Sequence, residues 1–417
     1  MNILYLNIDR GIPVLGDKGA SVHVRSFIAA AARLGHRTML ACTMLGAGNA
    51  PPPAEIIELP PSMDEATLLA ECAMQAVPHD LLAQQVTRLE IARLAHDRAL
   101  QTRLLDALHR TGFRPDLMYE RHALFSTAGV GIARRLGIPR LLEVNAPLIE
   151  EQKNFRDLRL IDAARRAETM SYRGADAIVA VSAAVAASVR AVAGNGVNVH
   201  VIPNGVDLAR FNSEANGAAI RKRLGIATAA TPVIGFIGSF KPWHGVHSLF
   251  DAFVDLAPRT VPTILIAVGD GPDLAALRVR AEACGCADRI MLPGRVPHVE
   301  IPEWLAAMDL TVAPYNAQND FYFSPLKIVE SMAAGRPVIA PALGQISDLI
   351  DQDVTGLLYT PGDLAALRKA LEDLIADPER TRAMGRQARR ATEGWDWTAV
   401  VNKALALVPQ HVMGEAS

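Results

Sequence analysis

Short apolar runs rich in β-branched residues alternate with helical patterns along almost the whole chain, and this alternation restricts the possible folds most. A buried run, a helix and a second buried run form a βαβ unit, whose two strands are parallel. The predicted strands are Ile3–Leu6, Thr38–Cys42, Leu117–Tyr119, Arg140–Val144, Ala177–Val181, His200–Ile202, Val233–Ile237, Thr263–Val268, Ile290–Leu292, Leu310–Ala313, Pro337–Ala340 and Gly356–Tyr359. The pattern therefore predicts an α/β fold class with doubly wound parallel sheets.

The turn Pro203-Asn204-Gly205 separates the predicted strands into two sets of similar size. A chain of 417 residues also exceeds the roughly 250–300 residues at which a single hydrophobic core stops growing. We therefore predict one doubly wound domain over residues 1–204 and a second over residues 205–395. A closing helix is expected in residues 396–417.

The charge balance excludes several classes of protein. Lys and Arg total 42 and Asp and Glu total 44, which leaves a formal net charge of −2. A general nucleic-acid binder needs a basic face that neutralises phosphates, so no nucleic acid is expected as a partner. With 50% hydrophobic residues, the chain has ample apolar surface to form a globular core.

The four cysteines, Cys42, Cys72, Cys284 and Cys286, lack the spacing of a zinc site or a disulfide framework. Reduced thiols suit a cytoplasmic compartment. The first residues lack the basic and apolar regions of a signal peptide, and no run is long and apolar enough for a membrane span. We therefore expect a cytoplasmic protein whose membrane contact, if any, is peripheral.

Two glycine-bearing loops follow predicted strands, at the position where open α/β sheets bind ligands. The first contains Gly19 and precedes a predicted helix over residues 22–34, whose N-terminus could face an anion. It lacks the GxGxxG spacing and the acidic partner of a dinucleotide site, which argues against a nicotinamide-dependent enzyme. The second contains Lys241 and His244. Lys241 is either a phosphate-binding residue or an ordinary surface charge.

The segment Phe321–Ala340 carries the strongest indication of chemistry. Pro325 fits the first turn of a helix, so the free N–H groups around Ser324 and Leu326 are predicted to face an anionic ligand. Glu330 lies little more than one turn further on, among apolar residues, where a buried carboxylate needs hydrogen-bond partners. A ribose diol would supply two.

The order of the motifs is itself informative. From the N-terminus they are a glycine loop, VIPNGVD..RF, GSFKPWHGV, VGDGP, LPGRVPH, FSPLKIVESMAAGRPVIAP and GLLYTPGD. In this order they resemble the family 4 retaining glycosyltransferases of the GT-B fold, over essentially the full chain. The resemblance implies two Rossmann-like domains facing a cleft, with the donor bound mainly by the second and the acceptor by the first. It also implies that the helix in residues 396–417 crosses back onto the first domain.

The resemblance implies transfer of a sugar from a nucleotide-diphosphate sugar to an acceptor hydroxyl, with retention of the anomeric configuration. The nucleotide-sugar is a co-substrate, and neither a cofactor nor a metal is expected. The acceptor is a glycan, a lipid or a small molecule. Because many relatives build polysaccharides or glycolipids, peripheral contact with the inner face of a membrane stays open. The base, the sugar and the acceptor are not determined by the sequence.

Matching the motifs position by position gives candidate site residues. Glu330 matches the second glutamate of the family's E-x7-E motif, which is expected to hold the ribose hydroxyls. Asn145 stands where many members carry a histidine near the transferred sugar, and Arg121 and His122, at another strand end, are acceptor-side candidates. The predicted catalytic residues are Asn145, Lys241 and Glu330. The predicted donor-binding residues are Gly19, Ser239, Lys241, His244, Arg295, Val296, Ser324, Pro325, Leu326, Lys327 and Glu330.

Three positions depart from the family pattern. The first glutamate of E-x7-E falls at Tyr322, and the arginine and lysine of the glycine-rich loop fall at Ser239 and His244. Lys241 and Lys327 are candidates to replace the missing positive charge. Because of these departures, two alternatives stay open: a catalytically silent GT-B-fold binding or scaffold subunit, and a nucleotide-sugar epimerase.

Overall fold

The computed structural model describes residues 1–61, 64–212, 216–226, 228, 230–257, 261–317, 322 and 324–408. The chain divides into two compact units. Unit 1 contains Met1–Pro203 and the C-terminal segment that begins at Trp397, and unit 2 contains Asn204–Asp396. The division therefore falls one residue before the boundary predicted from the sequence. Residues 409–417 of the predicted closing helix lie outside the described residues.

The described residues of unit 1 form one seven-stranded sheet in which every pair of neighbours is parallel. Its order is β3-β2-β1-β4-β5-β6-β7. The strands are β1 (Asn2–Asn7), β2 (Arg37–Cys42), β3 (Glu55–Glu58), β4 (Leu117–Arg121), β5 (Arg140–Val144), β6 (Ala177–Ala180) and β7 (Val199–Val201). The order reverses between β1 and β4, which makes the carboxyl ends of these two strands a topological switch point.

The helices of unit 1 cover both faces of this sheet, as parallel strands require. They are α1 (Gly19–Arg33), α2 (Glu65–Met74), α3 (Gln85–Thr111), α4 (Ala128–Leu136), α5 (Leu148–Phe155), α6 (Ile161–Arg173), α7 (Ala183–Ala193) and, after unit 2, α16 (Trp397–Leu405). Helix α1 buries Val24, Phe27 and Ile28 at helical spacing, in a core cluster that also contains Trp397 and Val401 of α16.

Unit 2 repeats the architecture. Its described residues form a six-stranded parallel sheet of order β10-β9-β8-β11-β12-β13. The strands are β8 (Val233–Ile237), β9 (Ile264–Val268), β10 (Ile290–Gly294), β11 (Leu310–Val312), β12 (Val338–Pro341) and β13 (Gly356–Tyr359). The helices are α8 (Ala218–Arg223), α9 (Val246–Leu256), α10 (Leu274–Ala283), α11 (Ile301–Ala307), α12 (Leu326–Ala333), α13 (Ile346–Leu349), α14 (Leu364–Ala376) and α15 (Pro378–Ala391). Here the switch point lies between β8 and β11.

The structure confirms the predicted fold class, and the differences from the sequence-based assignment are local. Strand β3 was not predicted, because only Ile56 and Ile57 are apolar between two glutamates, and the strand gains its place by pairing with β2 at the sheet edge. Helix α1 begins at Gly19, three residues before the predicted start. No described helix is both long enough and apolar enough to cross a bilayer.

Candidate active site

Two segments of unit 2 that the sequence singles out, the loop with Lys241 and the segment with Pro325 and Glu330, follow the two strands at its switch point. The loop after β8 begins at Gly238, and the segment after β11 contains Tyr315 and leads toward α12. Because β8 and β11 are parallel neighbours, their carboxyl ends bring these segments together at one edge of the sheet. Open α/β sheets bind their ligands at such a point.

Lys327, in the first turn of α12, extends into this edge. Its Nζ lies 4.6 Å from the ring centroid of Phe236 and 4.8 Å from that of Tyr315. It is buried without a hydrogen-bond partner among the described residues. Burial lowers the pKa of the Lys327 amine to about 7. Among the described residues, no acceptor carboxylate is hydrogen-bonded to this amine to favour its charged form.

Gly238 allows the amine to come this close. A Cβ atom at Gly238 would lie 2.7 Å from Lys327 Nζ, and the φ angle of +149° is one that side chains rarely adopt. The loop also contains Gly245, where a Cβ atom would lie 1.7 Å from the carbonyl oxygen of Pro314. Gly238 is therefore favoured by its backbone conformation, and Gly245 is required by the close approach of a backbone oxygen.

Ser239 and His244 occupy the positions of the family's arginine and lysine, and they contact each other. His244 Nδ1 lies 2.6 Å from the carbonyl oxygen of Ser239 and 3.1 Å from its Oγ. Because a carbonyl only accepts, Nδ1 carries the proton and donates it. Burial, together with the nearby Lys327, lowers the pKa of His244 to about 3. This pair therefore supplies no positive charge at neutral pH.

Lys241 is exposed, and its Nζ lies 4.8 Å above the ring of Trp243. This places a cation–π contact at the surface of the loop. Of the two lysines proposed to replace the missing charge, Lys327 has its Nζ beside Gly238, whereas the Nζ of Lys241 is stacked on an indole.

The N-terminus of α12 is held by Asn204. The backbone N–H of Asn204 donates to Ser324 Oγ at 3.2 Å, and its Nδ2 donates to the carbonyl oxygen of Ser324 at 3.2 Å. Pro325 precedes the helix in an extended conformation, with φ −80° and ψ 92°, and Leu326 is the first helical residue. The sequence predicted Pro325 in the first turn of the helix, and in the structure it lies one residue before that turn. The Pro325 side chain has no hydrogen-bond acceptor and cannot cap the helix, so it does not satisfy the N–H groups of the first turn.

Glu330 has the partner that its burial demands. Its side chain is only 12% exposed, and its Oε1 lies 2.8 Å from His298 Nε2. His298 is the last residue of the LPGRVPH motif, and no role for it was predicted from the sequence. Arg295 and Val296, two of the predicted donor-binding residues, lie shortly before it, with Arg295 exposed and Val296 partly buried. Tyr322 is buried and offers a phenol where the family carries a carboxylate.

In unit 1 a buried carboxylate, Glu143, joins the ends of β4 and β5. Arg121 Nη1 donates to it at 2.8 Å, Tyr119 Oη donates at 2.9 Å, and His23 Nε2 lies 2.9 Å away. Asn145 Nδ2 also donates to it. Burial alone would raise the pKa of Glu143, but His23, Arg121 and Asn145 outweigh this effect and lower it to about 2.

The structure therefore brings Arg121 and Asn145 together, and it separates Arg121 from His122. Successive residues of a strand point to opposite faces of the sheet. His122 follows Arg121 directly, and its ring lies 5.0 Å from that of Tyr172, with Nε2 3.9 Å from Glu168 Oε1. Both ring nitrogens of His122 are buried without a hydrogen bond among the described residues. The two acceptor-side candidates thus belong to two different environments.

Gly19, the remaining donor-binding candidate, is exposed and is the first residue of α1. Lys18 precedes it as the N-cap residue without a side-chain hydrogen bond to the helix. Among the described residues, no group of three or more His, Cys, Asp or Glu side chains is placed to hold a metal ion.

Two doubly wound parallel units of this kind define the GT-B class, and a solved structure of that class aligns over almost the full chain. Anabaena HepE in complex with UDP superposes with a TM-score of 0.68 at 21% identity, over 97% of this chain and 99% of that chain. Residues 18–210 match the family model described as Glycosyltransferase Family 4, and residues 231–377 match Glycosyl transferases group 1. The chain belongs to these group 1 and family 4 glycosyltransferases.

Curated relatives agree with this membership. The 2-deoxystreptamine N-acetyl-D-glucosaminyltransferase of Streptomyces fradiae is 29% identical over 66% of this chain and 66% of its own length. A GDP-mannose-dependent alpha-(1-6)-phosphatidylinositol monomannoside mannosyltransferase of Mycolicibacterium smegmatis is 28% identical over 57% of this chain and 63% of its own length. The chain thus spans about two thirds of the length of these relatives.

Proposed function

We propose that the chain is a retaining glycosyltransferase, which transfers a sugar from a nucleotide-diphosphate sugar to an acceptor hydroxyl without a metal ion. The observation that carries the proposal is the buried Lys327 amine beside Gly238, with no hydrogen-bonding acceptor among the described residues. A diphosphate at the carboxyl ends of β8 and β11 would give this amine its anion. The N–H groups at the start of α12 would contact the same phosphates.

The chemistry of the reaction explains why a site that stabilises the leaving phosphate is sufficient for catalysis. When the bond between the anomeric carbon and the diphosphate breaks, positive charge develops on the sugar and negative charge on the leaving phosphate. Donors that are already oriented toward the leaving oxygen stabilise this charge without reorganisation. In our proposal Lys327 and the α12 dipole supply that stabilisation, in place of the arginine and lysine missing at Ser239 and His244.

Retention follows if the acceptor hydroxyl attacks the face from which the diphosphate departs. The leaving phosphate oxygen can then accept the proton of the acceptor, so no protein base is obligatory. Glu330 is proposed to accept hydrogen bonds from the ribose hydroxyls. In unit 1, Asn145 and Arg121 are proposed to face the acceptor side, oriented by their hydrogen bonds to Glu143.

The relatives indicate which ligands to test, but they differ from one another. HepE was solved with UDP, whereas the mycobacterial relative is named as GDP-mannose-dependent. The names of both curated relatives contain a cyclitol, in 2-deoxystreptamine and in phosphatidylinositol. An acceptor panel should therefore include inositol, 2-deoxystreptamine and a phosphatidylinositol, and a donor panel should include sugars of UDP, GDP, ADP and CDP.

The first experiment is a thermal-shift screen of these nucleoside diphosphates and their sugars, because a ligand that binds only the folded state raises the melting temperature. Turnover of the best donor is then measured as release of nucleoside diphosphate, with and without EDTA. Glu330→Ala should weaken nucleotide binding by about 1.5–3 kcal/mol, the contribution of a hydrogen bond to a charged group. The exposed Glu379 supplies the control variant, Glu379→Ala, which should bind normally.

A second candidate, a catalytically silent binding subunit, is favoured by Tyr322, Ser239 and His244, which replace charged family residues. Nucleotide binding without turnover of any donor would favour this candidate. Unchanged affinity in Glu330→Ala would refute the assignment of Glu330.

A further inference from the structure

A chain of three side chains ends at Glu330. Arg210 Nη2 lies 3.1 Å from His298 Nδ1, and His298 Nε2 lies 2.8 Å from Glu330 Oε1. The three residues are far apart in sequence, on the loop before α8, on the turn before α11 and on α12. The side chain of His298 is 18% exposed, so this contact is largely shielded from water.

The geometry fixes where the imidazole carries its proton. A guanidinium has only donors, so Nδ1 of His298, which faces Arg210, must present its lone pair. The single ring proton of the neutral imidazole is then on Nε2 and is donated to Glu330. Oε1 of the carboxylate accepts this hydrogen bond and is held in place by the histidine. The other oxygen is the one that can accept from a ligand hydroxyl.

We propose that His298, oriented by Arg210, is a positioning residue that fixes the Glu330 carboxylate for recognition of the ribose hydroxyls of the donor. This inference rests on the proposed function and specifies how its ribose contact is made. In the absence of His298, a carboxylate at the edge of a site can rotate and bind water, which lowers the population of the oriented form.

The proposal also gives a role to a motif that the donor site left unexplained. Arg210 and Phe211 are the last residues of VIPNGVD..RF. Besides contacting the ring, Arg210 Nη2 donates to the carbonyl oxygen of His298 at 2.5 Å. Phe211 is buried, and its ring lies 5.8 Å from that of His298. One segment therefore holds both the backbone and the ring of the histidine.

The test compares a ribonucleoside diphosphate with its 2′-deoxy form, because only the former presents the hydroxyl in question. Dissociation constants for both are measured by calorimetry on the full chain, with the base chosen by the thermal-shift screen. The wild type should prefer the ribonucleotide by about tenfold or more, as expected for a hydrogen bond to a charged group. His298→Ala should reduce this preference to about two- to threefold. His298→Gln, whose amide can donate to Glu330, should restore most of it.

Two further variants complete the set. Arg210→Met removes the group that orients the imidazole, and its preference should fall between those of the wild type and His298→Ala. His247→Ala is the matched control, because His247 lies on α9 in the same unit and contacts Arg280 rather than Glu330. Its preference should equal that of the wild type. Circular dichroism melts of every variant verify that the fold is retained.

The outcomes separate the two proposals. If His298→Ala keeps the full ribose preference, or loses affinity equally for both nucleotides, the inference is wrong while the proposed function stands. If the wild type binds no nucleoside diphosphate of the panel, the proposed function fails and the inference fails with it. A preference that falls in His298→Ala and returns in His298→Gln supports the inference.

Discussion

Replacing Lys327 by methionine should change stability and donor affinity in opposite directions. The substitution keeps an unbranched side chain that fits between the rings of Phe236 and Tyr315, and it removes the amine. In the free protein the buried amine lowers the stability of the fold, because burial lowers its pKa from 10.5 to about 7. With a diphosphate bound, the same amine is favourable. Lys327→Met should therefore be more stable than the wild type and should bind the donor more weakly.

The magnitude of the stability change follows from proton linkage. Between pH 7 and 10.5 the unfolded chain binds a proton at Lys327 that the folded chain has released, so the free energy of unfolding rises with pH across this window. At 1.36 kcal/mol per pH unit, the full rise is about 5 kcal/mol. Two cation–π contacts, at about 0.5–1 kcal/mol each, offset part of the cost. We expect Lys327→Met to be more stable at pH 7 by about 2–4 kcal/mol.

Donor affinity should show the complementary pH dependence. If only the charged amine binds the diphosphate, the dissociation constant rises about tenfold per pH unit above 7, and by about 30-fold between pH 6 and 8.5. A nucleotide-sugar is the right ligand, because its diphosphate diester stays fully ionised over this range. His244 does not contribute, because its pKa of about 3 keeps it neutral throughout.

Isothermal calorimetry in two buffers of different ionisation enthalpy measures both the affinity and the protons taken up on binding. At pH 8 the wild type should take up close to one proton, and Lys327→Met should take up none and bind at a pH-independent affinity. Lys241→Met is the control, because Lys241 is exposed and should retain the wild-type pH dependence. Equal affinity of the wild type at pH 6 and 8.5, without proton uptake, would refute the reasoning.

Two further predictions concern stability. Glu143→Gln should lower the free energy of unfolding at pH 7 by about 3–5 kcal/mol, because Arg121 loses its buried counter-charge. The free energy of unfolding of the wild type should fall by about 3 kcal/mol between pH 4.5 and 2, where Glu143 becomes protonated. Acid melts in which the variant is as sensitive to pH as the wild type would contradict this assignment. Gly245→Ala should lower the melting temperature markedly, because the new Cβ would clash with the carbonyl oxygen of Pro314. Gly362 also has a positive φ but has open space around it, so Gly362→Ala should lower the free energy of unfolding by only about 1 kcal/mol. Equal effects of the two substitutions in thermal melts would contradict the steric argument.

The strands could be predicted because parallel strands are buried on both faces, so their apolar runs are nearly continuous. Runs such as Val233–Ile237 coincide with the strand in the structure. The edge strand Glu55–Glu58 could not be found in this way, because its order comes from hydrogen bonds to a neighbouring strand rather than from its own apolar content. The sequence order of motifs was sufficient to identify the family.

The site was less accessible to prediction, because its contacts join residues that are distant in sequence. Lys327 was predicted to bind the donor, but only the tertiary structure places its Nζ next to the rings of Phe236 and Tyr315. His298 contacts Glu330, which is 32 residues away in sequence, and Arg210, which is 88 residues away, and no local sequence pattern predicts either contact. The separation of Arg121 from His122, by contrast, follows from strand alternation once β4 is extended to Arg121.

Because helix α16 belongs to unit 1 although it follows unit 2 in sequence, unit 2 is an insertion within unit 1. A ribosome therefore synthesises all of unit 2 before it makes helix α16 of unit 1. Until Trp397–Leu405 has been made, Val24, Phe27 and Ile28 of α1 lack the neighbours Trp397 and Val401 with which they share a core. Unit 1 is thus completed after unit 2, and truncation directly after Asp396 would leave unit 1 with an uncovered apolar surface while leaving unit 2 whole.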